Sequence, residues 1–354
     1  MDLKILPLTN PKPRPADESQ LGFGKLFTDR MLVMEYAAGT GWHSARIQPY
    51  GPFSLDPACA VLHYAQEIFE GLKAFRRDDG RLALFRAADN VRRFNRSAAR
   101  MCMPEVDEAF FHDAIRQLVQ LEADWVPRTA GTSLYIRPTM IATDPYLGVK
   151  PSDTYLCYVI LSPVGAYYKG GFSPVKIWIS DEHVRSAPGG TGEAKTGGNY
   201  AASLRASMDA AAQGYDQVLW LDAVHRKFVE EVGSMNICFL YDGKVITSPL
   251  HGTILDGVTR RSVLALVRDM GLAVEERALS VDEIFDGIAA GRLTEAFGTG
   301  TAAVVSPVGQ FTFRGRTATL GDGQMGQLTL KLYETLTGIQ YGRLPDPHGW
   351  VEVL

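Results

Sequence analysis

One lysine in the second half of the chain lies in an unusually glycine-rich segment. The run GGTGEAKTGGNYAASLRAS spans residues 189–207 and contains Lys195. Its glycines are Gly189, Gly190, Gly192, Gly197 and Gly198. Glycine loses more conformational freedom on folding than any other residue, and a close approach of the chain to a bulky bound group would justify that cost. Three interpretations are open: a solvated surface lysine, a phosphate-binding loop, and a lysine that forms a Schiff base.

The phosphate-binding loop has the pattern GxxxxGK[ST], which residues 189–196 nearly fit, with Ala194 in place of the last glycine. The later run QVLWLD, ending in Asp222, offers a strand for a magnesium-binding carboxylate. However, such a loop needs a helix that begins at its lysine. The residues 196–199 delay the predicted helix until about Ala201. The pattern therefore argues against nucleotide binding, which remains the alternative from another functional class.

A Schiff-base lysine needs an environment that removes its proton, because only the free amine attacks an aldehyde. A desolvated or cation-rich pocket has this effect. The residues beside Lys195 do not reveal such a pocket. Support for this interpretation has to come from other segments of the chain.

The elements around this segment predict a mixed α/β protein. At 354 residues the chain exceeds a comfortable single core, so two domains are expected. The segment 163–174, with two prolines and three glycines between strand candidates, is the predicted linker. Strands are predicted at residues 27–36, 132–143, 154–163, 175–180, 217–222 and 237–243, and helices at residues 90–100, 110–121, 201–213 and 259–270.

Composition excludes several classes of protein. Hydrophobic residues make up 46% and charged residues 21%, which is typical of a soluble globular protein. A net charge of -4 predicts neither nucleic acid nor an anionic membrane as a partner. The four cysteines are too widely spaced for a zinc or disulfide framework, so no metal is expected and a reducing cytoplasm fits best. Residues 1–20 read as an irregular surface arm rather than a signal peptide.

Several distant segments together resemble the branched-chain amino acid aminotransferases, which are class IV enzymes dependent on pyridoxal 5'-phosphate. They are FGKLFTDRMLVMEY (23–36), LHYAQEIFEGLKAF (62–75), FRAADNVRRFNRSAARM (85–101), GTSLYIRP (131–138), GEAKTGGNY (192–200), EEVGSMNICF (230–239), DGVTRRSVL (256–264) and FGTGTAAVVSPV (297–308). Each is weak alone, but their shared order from Phe23 to Pro307 is highly specific.

The resemblance implies the two-domain D-amino-acid-aminotransferase-like fold, known as fold type IV. Residues 1–163 would form a small N-terminal α/β domain and residues 164–175 an interdomain loop. Residues 176–354 would form the large domain that binds pyridoxal phosphate. Family members are at least dimers, so a homodimer is expected.

The resemblance also assigns the cofactor contacts. Lys195 matches the lysine that holds the cofactor covalently and moves the proton between the substrate α-carbon and C4′. Glu231 matches the carboxylate that pairs with the pyridine nitrogen, and Glu230 is expected to be a solvated strand end. Tyr200 matches a tyrosine at the phenolic oxygen. The phosphate contacts implied are Arg93, Val258, Thr259 and Thr301.

For the helix start at Val258 and Thr259 there is independent reasoning. A Gly-Val-Thr turn that opens a helix presents free N–H groups and a positive dipole end to an anion. Thr259 as a simple N-cap is the alternative.

The implied reaction moves an amino group between leucine, isoleucine or valine and 2-oxoglutarate in a ping-pong cycle. One pocket must then accept both a branched apolar chain and a carboxylate-bearing chain. Matched wall positions are Phe23, Tyr64, Phe69, Tyr135 and Tyr167, and Arg137 is the candidate partner for the distal carboxylate of glutamate. Ser234 and the backbone near Thr301 and Ala302 would receive the α-carboxylate. Tyr167 suggests a loop that closes over substrate. Action on D-amino acids and lysis of aminodeoxychorismate are the rival activities within the fold.

Overall fold

The computed structural model describes residues 1–165 and 172–354. The described residues fall into two compact units. The first consists of those within Met1–Tyr167, together with Ala194–Gly197 and Gly338–Leu354, and the second of those within Tyr168–Glu193 and Gly198–Thr337. The predicted domain boundaries stay predictions. Residues 166–171 of the predicted interdomain loop, with Tyr167, lie outside the described residues.

The expected mixture of helices and strands is confirmed. In the first half of the chain the elements are β1 (Lys4–Ile5), β2 (Arg30–Ala37), β3 (Gly41–Pro49), α1 (Ala60–Tyr64), β4 (Glu67–Phe69), β5 (Leu72–Arg76), β6 (Leu82–Phe85), α2 (Ala87–Arg100), α3 (Glu108–Leu121), β7 (Ser133–Ala142) and β8 (Thr154–Val164). In the second half they are β9 (Val175–Ile179), α4 (Gly197–Ala201), α5 (Leu204–Ala212), β10 (Gln217–Leu221), β11 (Val229–Val232), β12 (Met235–Tyr241), β13 (Lys244–Thr247), α6 (Val258–Asp269), β14 (Val274–Glu276), α7 (Val281–Ala289), β15 (Leu293–Gly300), β16 (Val304–Phe313), β17 (Arg316–Thr319), α8 (Gln327–Gln340) and β18 (Val351–Val353).

The first unit is built on a sheet whose strand order is β1-β3-β2-β8-β7-β5-β6-β18, with β4 paired to β7. Successive side chains of a strand point to opposite faces. In β8, Cys157 and Val159 are buried in the core, where Phe94 of α2 stacks on Phe111 of α3 at 5.4 Å. The intervening Tyr158 is only partly buried. One face of the sheet thus makes the core, and the other carries aromatic and polar side chains.

The second unit contains a sheet in the order β11-β10-β9-β16-β15-β12-β13-β14, with β17 paired to β16. Because β12 and β15 are antiparallel and pair Asn236 with Thr299, the β11–β12 turn and the β15–β16 turn lie at the same end of the sheet. Gly233, in the first of these turns, has φ +56°. This end of the sheet gathers two of the segments that the sequence singled out.

The predicted strands and most predicted helices are present, with shifts of a few residues at their ends. The helix predicted at residues 201–213 is wrong in its start: α4 begins at Gly197 and a second helix begins at Leu204. The arm 1–20 is irregular apart from Lys4–Ile5 and a single 3-10 turn. Among the described residues, no helix combines the length and apolar character needed to cross a bilayer.

Candidate active site

The backbone around Lys195 is held by the first unit. Its N–H donates to Ser97 Oγ at 2.9 Å, and its carbonyl oxygen accepts from the N–H of Phe69 at 2.9 Å. The next residue, Thr196, donates through Oγ1 to the carbonyl of Glu67 at 2.7 Å. The side chain is partly buried, with Nζ 4.9 Å from the ring centroid of Phe69. A fully solvated surface lysine does not fit this position.

Two glycines of the lysine segment lie in close contact with other parts of the protein. A Cβ at Gly197 would lie 1.9 Å from Oε1 of Glu67. A Cβ at Gly192 would lie 2.2 Å from the backbone oxygen of Thr253, which cannot move aside easily. The glycine cost noted in the sequence is therefore offset, at least here, by tight packing of the segment.

A buried ion pair lies next to this segment. Glu70, 1% exposed, accepts from Arg93 Nε at 2.6 Å and from Arg93 Nη2 at 2.9 Å, a bidentate geometry. Asn90 adds a hydrogen bond at 2.9 Å. Asn90, Arg93 and Ser97 share one face of α2 because they are three and four residues apart. The same helix face therefore holds both the ion pair and the lysine backbone.

Glu70 is a residue that the sequence reasoning missed. It lies within the matched run LHYAQEIFEGLKAF, but nothing in that run indicated which side chain would face it. Burial alone would raise its pKa, but the charge and hydrogen bonds of Arg93, together with the charge of Lys195, lower the pKa of this carboxyl below its ordinary value. The fold therefore favours the ionised form of Glu70.

We expect Glu70→Gln to lower the free energy of unfolding by about 3–5 kcal/mol, because it leaves the Arg93 guanidinium buried without its counter-charge. Since the folded-state pKa of Glu70 is depressed, its stabilising contribution is complete above the unfolded-state pKa of about 4.3 and is lost as the pH falls through the folded value. Urea unfolding of both proteins between neutral and acidic pH should show the difference shrinking as the pH falls. Glu35→Gln is the control: it removes a partly exposed ion pair with Arg46 and should cost less than about 1 kcal/mol. Equal losses from the two substitutions would contradict this account.

The face of the first sheet opposite the core carries an aromatic wall that includes one cation, Arg137. The Arg137 guanidinium lies 4.8 Å from the ring centroid of Phe69 and 5.3 Å from that of Tyr135. Its Nη2 lies 3.3 Å from the Tyr135 hydroxyl. Phe23 meets Tyr135 edge to face at 4.9 Å. A Cβ at Gly71 would come within 1.9 Å of the same hydroxyl, so glycine is needed there.

The contacts of Tyr64 do not place it in the aromatic wall. It is 43% exposed, and its hydroxyl donates to the carbonyl of Leu147. Its proposed place in a substrate pocket stays a prediction.

In the second unit, Glu231 is held by an ion pair and by hydrogen bonds. Its Oε2 lies 2.7 Å from Arg185 Nη1, in an ion pair whose side chains are 3% and 7% exposed. Its Oε1 accepts from Asn236 Nδ2 at 2.9 Å. Asn236 also donates to the carbonyl of Leu255, just before α6. Arg185 and Asn236 are further residues that the sequence reasoning missed, although Asn236 stands in the matched run EEVGSMNICF.

The expectation that Glu230 is a solvated strand end is wrong. It is 9% exposed and lines a cavity of about 320 Å³ that also reaches Asp222, His225 and Thr253. Burial raises its pKa, which a hydrogen bond from Thr253 and the charge of Arg185 only partly oppose. Alternating residues of β11 point to opposite faces, and the loop after β13 covers the face of Glu230.

Helix α6 begins at Val258, one residue before the predicted start. The N-cap is Gly257, so Thr259 is not the cap but the second helical residue. A Cβ at Gly257 would lie 2.1 Å from Asn236 Oδ1. The helix start is therefore tied closely to the residue that also holds Glu231.

The two turns at the end of the second sheet carry the remaining predicted residues. Ser234 is exposed, and Thr301 and Ala302 are partly buried. Thr299 Oγ1 is buried and has no hydrogen-bond partner within residues 1–165 and 172–354. Paired antiparallel residues place their side chains on the same face, so Thr299 faces the side of Asn236 and Glu231.

The second unit's residues fit the cofactor that the resemblance implies. A carboxylate beside a buried guanidinium suits a protonated ring nitrogen, and the start of the twelve-residue helix α6 suits a phosphate. The unpartnered hydroxyl of Thr299 leaves a polar group available on that face. Tyr200, in α4, is partly buried in the same unit.

Comparison with known proteins agrees with the aminotransferase family that the sequence motifs indicated. The sequence profile described as Amino-transferase class IV matches residues 67–311. The branched-chain-amino-acid transaminase 1 of Bacillus subtilis is 56% identical over 344 residues, which is 97% of this chain and 96% of that protein. The T.th. branched-chain amino acid aminotransferase with pyridoxamine 5'-phosphate is 28% identical, with a TM-score of 0.75, over 91% of this chain and 97% of that one. The same enzyme complexed with N-(5'-phosphopyridoxyl)-L-glutamate is 28% identical, with a TM-score of 0.75, over 94% of this chain and 98% of that one.

The fold and the matched segment define a class IV aminotransferase, an enzyme that works with pyridoxal phosphate. Within that class, the chain belongs to the branched-chain amino acid aminotransferases. The nucleotide-binding alternative is thereby overturned.

Proposed function

We propose that the enzyme exchanges the amino group between L-leucine, L-isoleucine or L-valine and 2-oxoglutarate in a ping-pong cycle. The observation that carries this proposal is the wall of the first unit. The centroid of the Phe69 ring there lies 4.9 Å from Lys195 Nζ and 4.8 Å from the Arg137 guanidinium. An amine for chemistry and a cation for a distal carboxylate thus share one aromatic surface.

The cofactor contacts are proposed for residues of several segments of the chain. When bound, pyridoxal phosphate supplies an electron sink for the electrons left at the substrate α-carbon. Lys195 would take the proton from that carbon and deliver it to C4′ of the cofactor, and Glu231 would hold a negative charge at the ring nitrogen. Tyr200 is assigned to the phenolic oxygen. The groups assigned to the phosphate are Arg93, Val258, Thr259 and Thr301.

The substrate pocket must serve two kinds of side chain. Phe23, Phe69 and Tyr135 offer apolar faces to a branched chain, and each buried methylene contributes roughly 0.8 kcal/mol. Arg137 receives the distal carboxylate of glutamate, which fits the phosphopyridoxyl-glutamate bound by the T.th. relative. Ser234 and the backbone at Ala302 receive the α-carboxylate. Tyr64 and Tyr167 are further wall residues in the proposal.

We expect Arg137→Gln to raise KM for 2-oxoglutarate by roughly ten- to a hundred-fold, the loss of one charge-assisted hydrogen bond. KM for 4-methyl-2-oxopentanoate should change much less, because that substrate has no distal carboxylate. Steady-state kinetics with the two oxo acids measure the difference. A parallel rise for both would contradict the assigned contact.

Half-reactions of the cofactor-loaded enzyme test the activity itself. L-leucine should convert the visible spectrum of the bound cofactor rapidly, and 2-oxoglutarate should restore it. D-alanine should leave the spectrum unchanged, and aminodeoxychorismate should yield no pyruvate. Turnover of D-alanine or aminodeoxychorismate in preference to L-leucine would overturn the proposal.

The proposal extends to assembly and location. A homodimer in the cytoplasm agrees with the family and with four cysteines that are all unpaired in the structure. Light scattering of the purified enzyme should give twice the 38.8 kDa of one chain. A monomer at micromolar concentration would contradict the homodimer.

A further inference from the structure

Glu67 is a carboxylate beside the aromatic wall. The proposed function gives this side chain no role. It lies on β4, two residues from Phe69, and Ile68 between them is fully buried in the core. Because side chains alternate along a strand, Glu67 and Phe69 share the face of the sheet opposite the core. The carboxylate therefore belongs to the same surface as the aromatic wall.

The lysine segment fixes the position of this glutamate. The carbonyl oxygen of Glu67 accepts from Thr196 Oγ1 at 2.7 Å. Its Oε1 lies against Gly197 so closely that a Cβ there would be 1.9 Å away. The carboxylate is thus packed against the backbone two residues after Lys195.

Arg137 is the cation that acts on this carboxylate. Burial raises the pKa of Glu67, and the charge of Arg137 opposes that rise. Within the described residues, Arg137 makes no ion pair within 4.0 Å, and its buried Nε has no hydrogen-bond partner. Its other contacts are aromatic: the rings of Phe69 and Tyr135 and the Tyr135 hydroxyl. Glu67 is therefore a longer-range counter-charge to a guanidinium whose short-range contacts, within residues 1–165 and 172–354, are with aromatic side chains.

We propose that Glu67 is a positioning residue that tunes the charge Arg137 presents, and so sets the preference of the pocket between dicarboxylates and branched apolar chains. The inference rests on the proposed contact between Arg137 and the distal carboxylate. With an apolar chain bound, Glu67 offsets the arginine charge beside that chain. With glutamate or 2-oxoglutarate bound, the substrate carboxylate competes with Glu67 for the same guanidinium. Glu67 thereby weakens the binding of dicarboxylates. It also lowers the free-energy cost of placing a branched apolar chain beside the arginine.

The test is the ratio of KM values for 2-oxoglutarate and 4-methyl-2-oxopentanoate in the cofactor-loaded enzyme. Glu67→Gln keeps the shape and removes the charge. KM for 2-oxoglutarate should fall about two- to five-fold, as for a charge interaction that solvent partly screens. KM for 4-methyl-2-oxopentanoate should stay level or rise. Glu67→Asp, which retains the charge, should keep the ratio near that of the unmodified enzyme.

Control variants separate an effect through Arg137 from other effects of the substitution. Glu35→Gln, which removes a carboxylate elsewhere in the same unit, should leave the ratio unchanged. In an Arg137→Gln background, Glu67→Gln should no longer alter the ratio, because it acts through the arginine. The inference is overturned if Glu67→Gln leaves the ratio unchanged, or if Glu67→Asp shifts it equally. If instead Arg137→Gln alone leaves KM for 2-oxoglutarate unchanged, the proposed contact itself fails.

Discussion

Replacement of Lys195 by alanine should abolish transamination, with a loss in kcat of about 10⁴-fold or more, because both covalent capture of the cofactor and proton transfer depend on this amine. The backbone hydrogen bonds that place the residue, from its own N–H to Ser97 and from Phe69 N–H to its carbonyl, do not involve the side chain. The variant should therefore fold and lose chemistry alone. Single-turnover kinetics with L-leucine measure the loss.

The covalent link has its own readout. Borohydride should change the visible spectrum of the cofactor-loaded enzyme and add the mass of the reduced cofactor to the peptide that contains Lys195. Lys227→Ala is the matched control, since this exposed lysine also lies over an aromatic ring, that of Phe228 at 5.9 Å. Full-rate transamination by Lys195→Ala would end the assignment.

Glu231→Gln should lower kcat by about 10²- to 10³-fold, the scale of losing one preorganised electrostatic contact at a reacting group. The amide keeps the size of the side chain and can still accept from Asn236, but it removes the negative charge. It also leaves the buried guanidinium of Arg185 without its partner at 2.7 Å, so stability should fall as well. Rates must therefore be taken per cofactor-loaded, folded enzyme, with cofactor content measured by absorbance.

The adjacent glutamate provides the control for that experiment. Glu230→Gln alters a carboxylate that faces a cavity on the other side of β11, so kcat should change little. Glu231→Asp, which retains the charge, should keep more activity than Glu231→Gln. If Glu231→Gln, once folded and loaded, turned over at the unmodified rate, a charge at the ring nitrogen would not be what Glu231 supplies.

Local sequence patterns predicted which helices and strands exist around the site more accurately than they predicted where each one begins and ends. A high content of β-branched and aromatic residues predicted β7 and β8, and helical periodicity predicted α2 and α3, because these signals depend on near neighbours in the chain. The helix after Lys195 was placed four residues too late, because Gly197 and Gly198 read as helix breakers. In the structure, α4 nevertheless begins at Gly197.

The sequence by itself determined the mixed α/β class, the aminotransferase family and the glycine-flanked Lys195, since these follow from ordered motifs and short-range spacing. Only the tertiary structure decided the pairing of Glu70 with Arg93, the pairing of Glu231 with Arg185, and the burial of Glu230. Those outcomes depend on strand register and on which side chains meet across the fold. Ion pairs and burial act through space, and no pattern of neighbouring residues encodes which distant partner arrives.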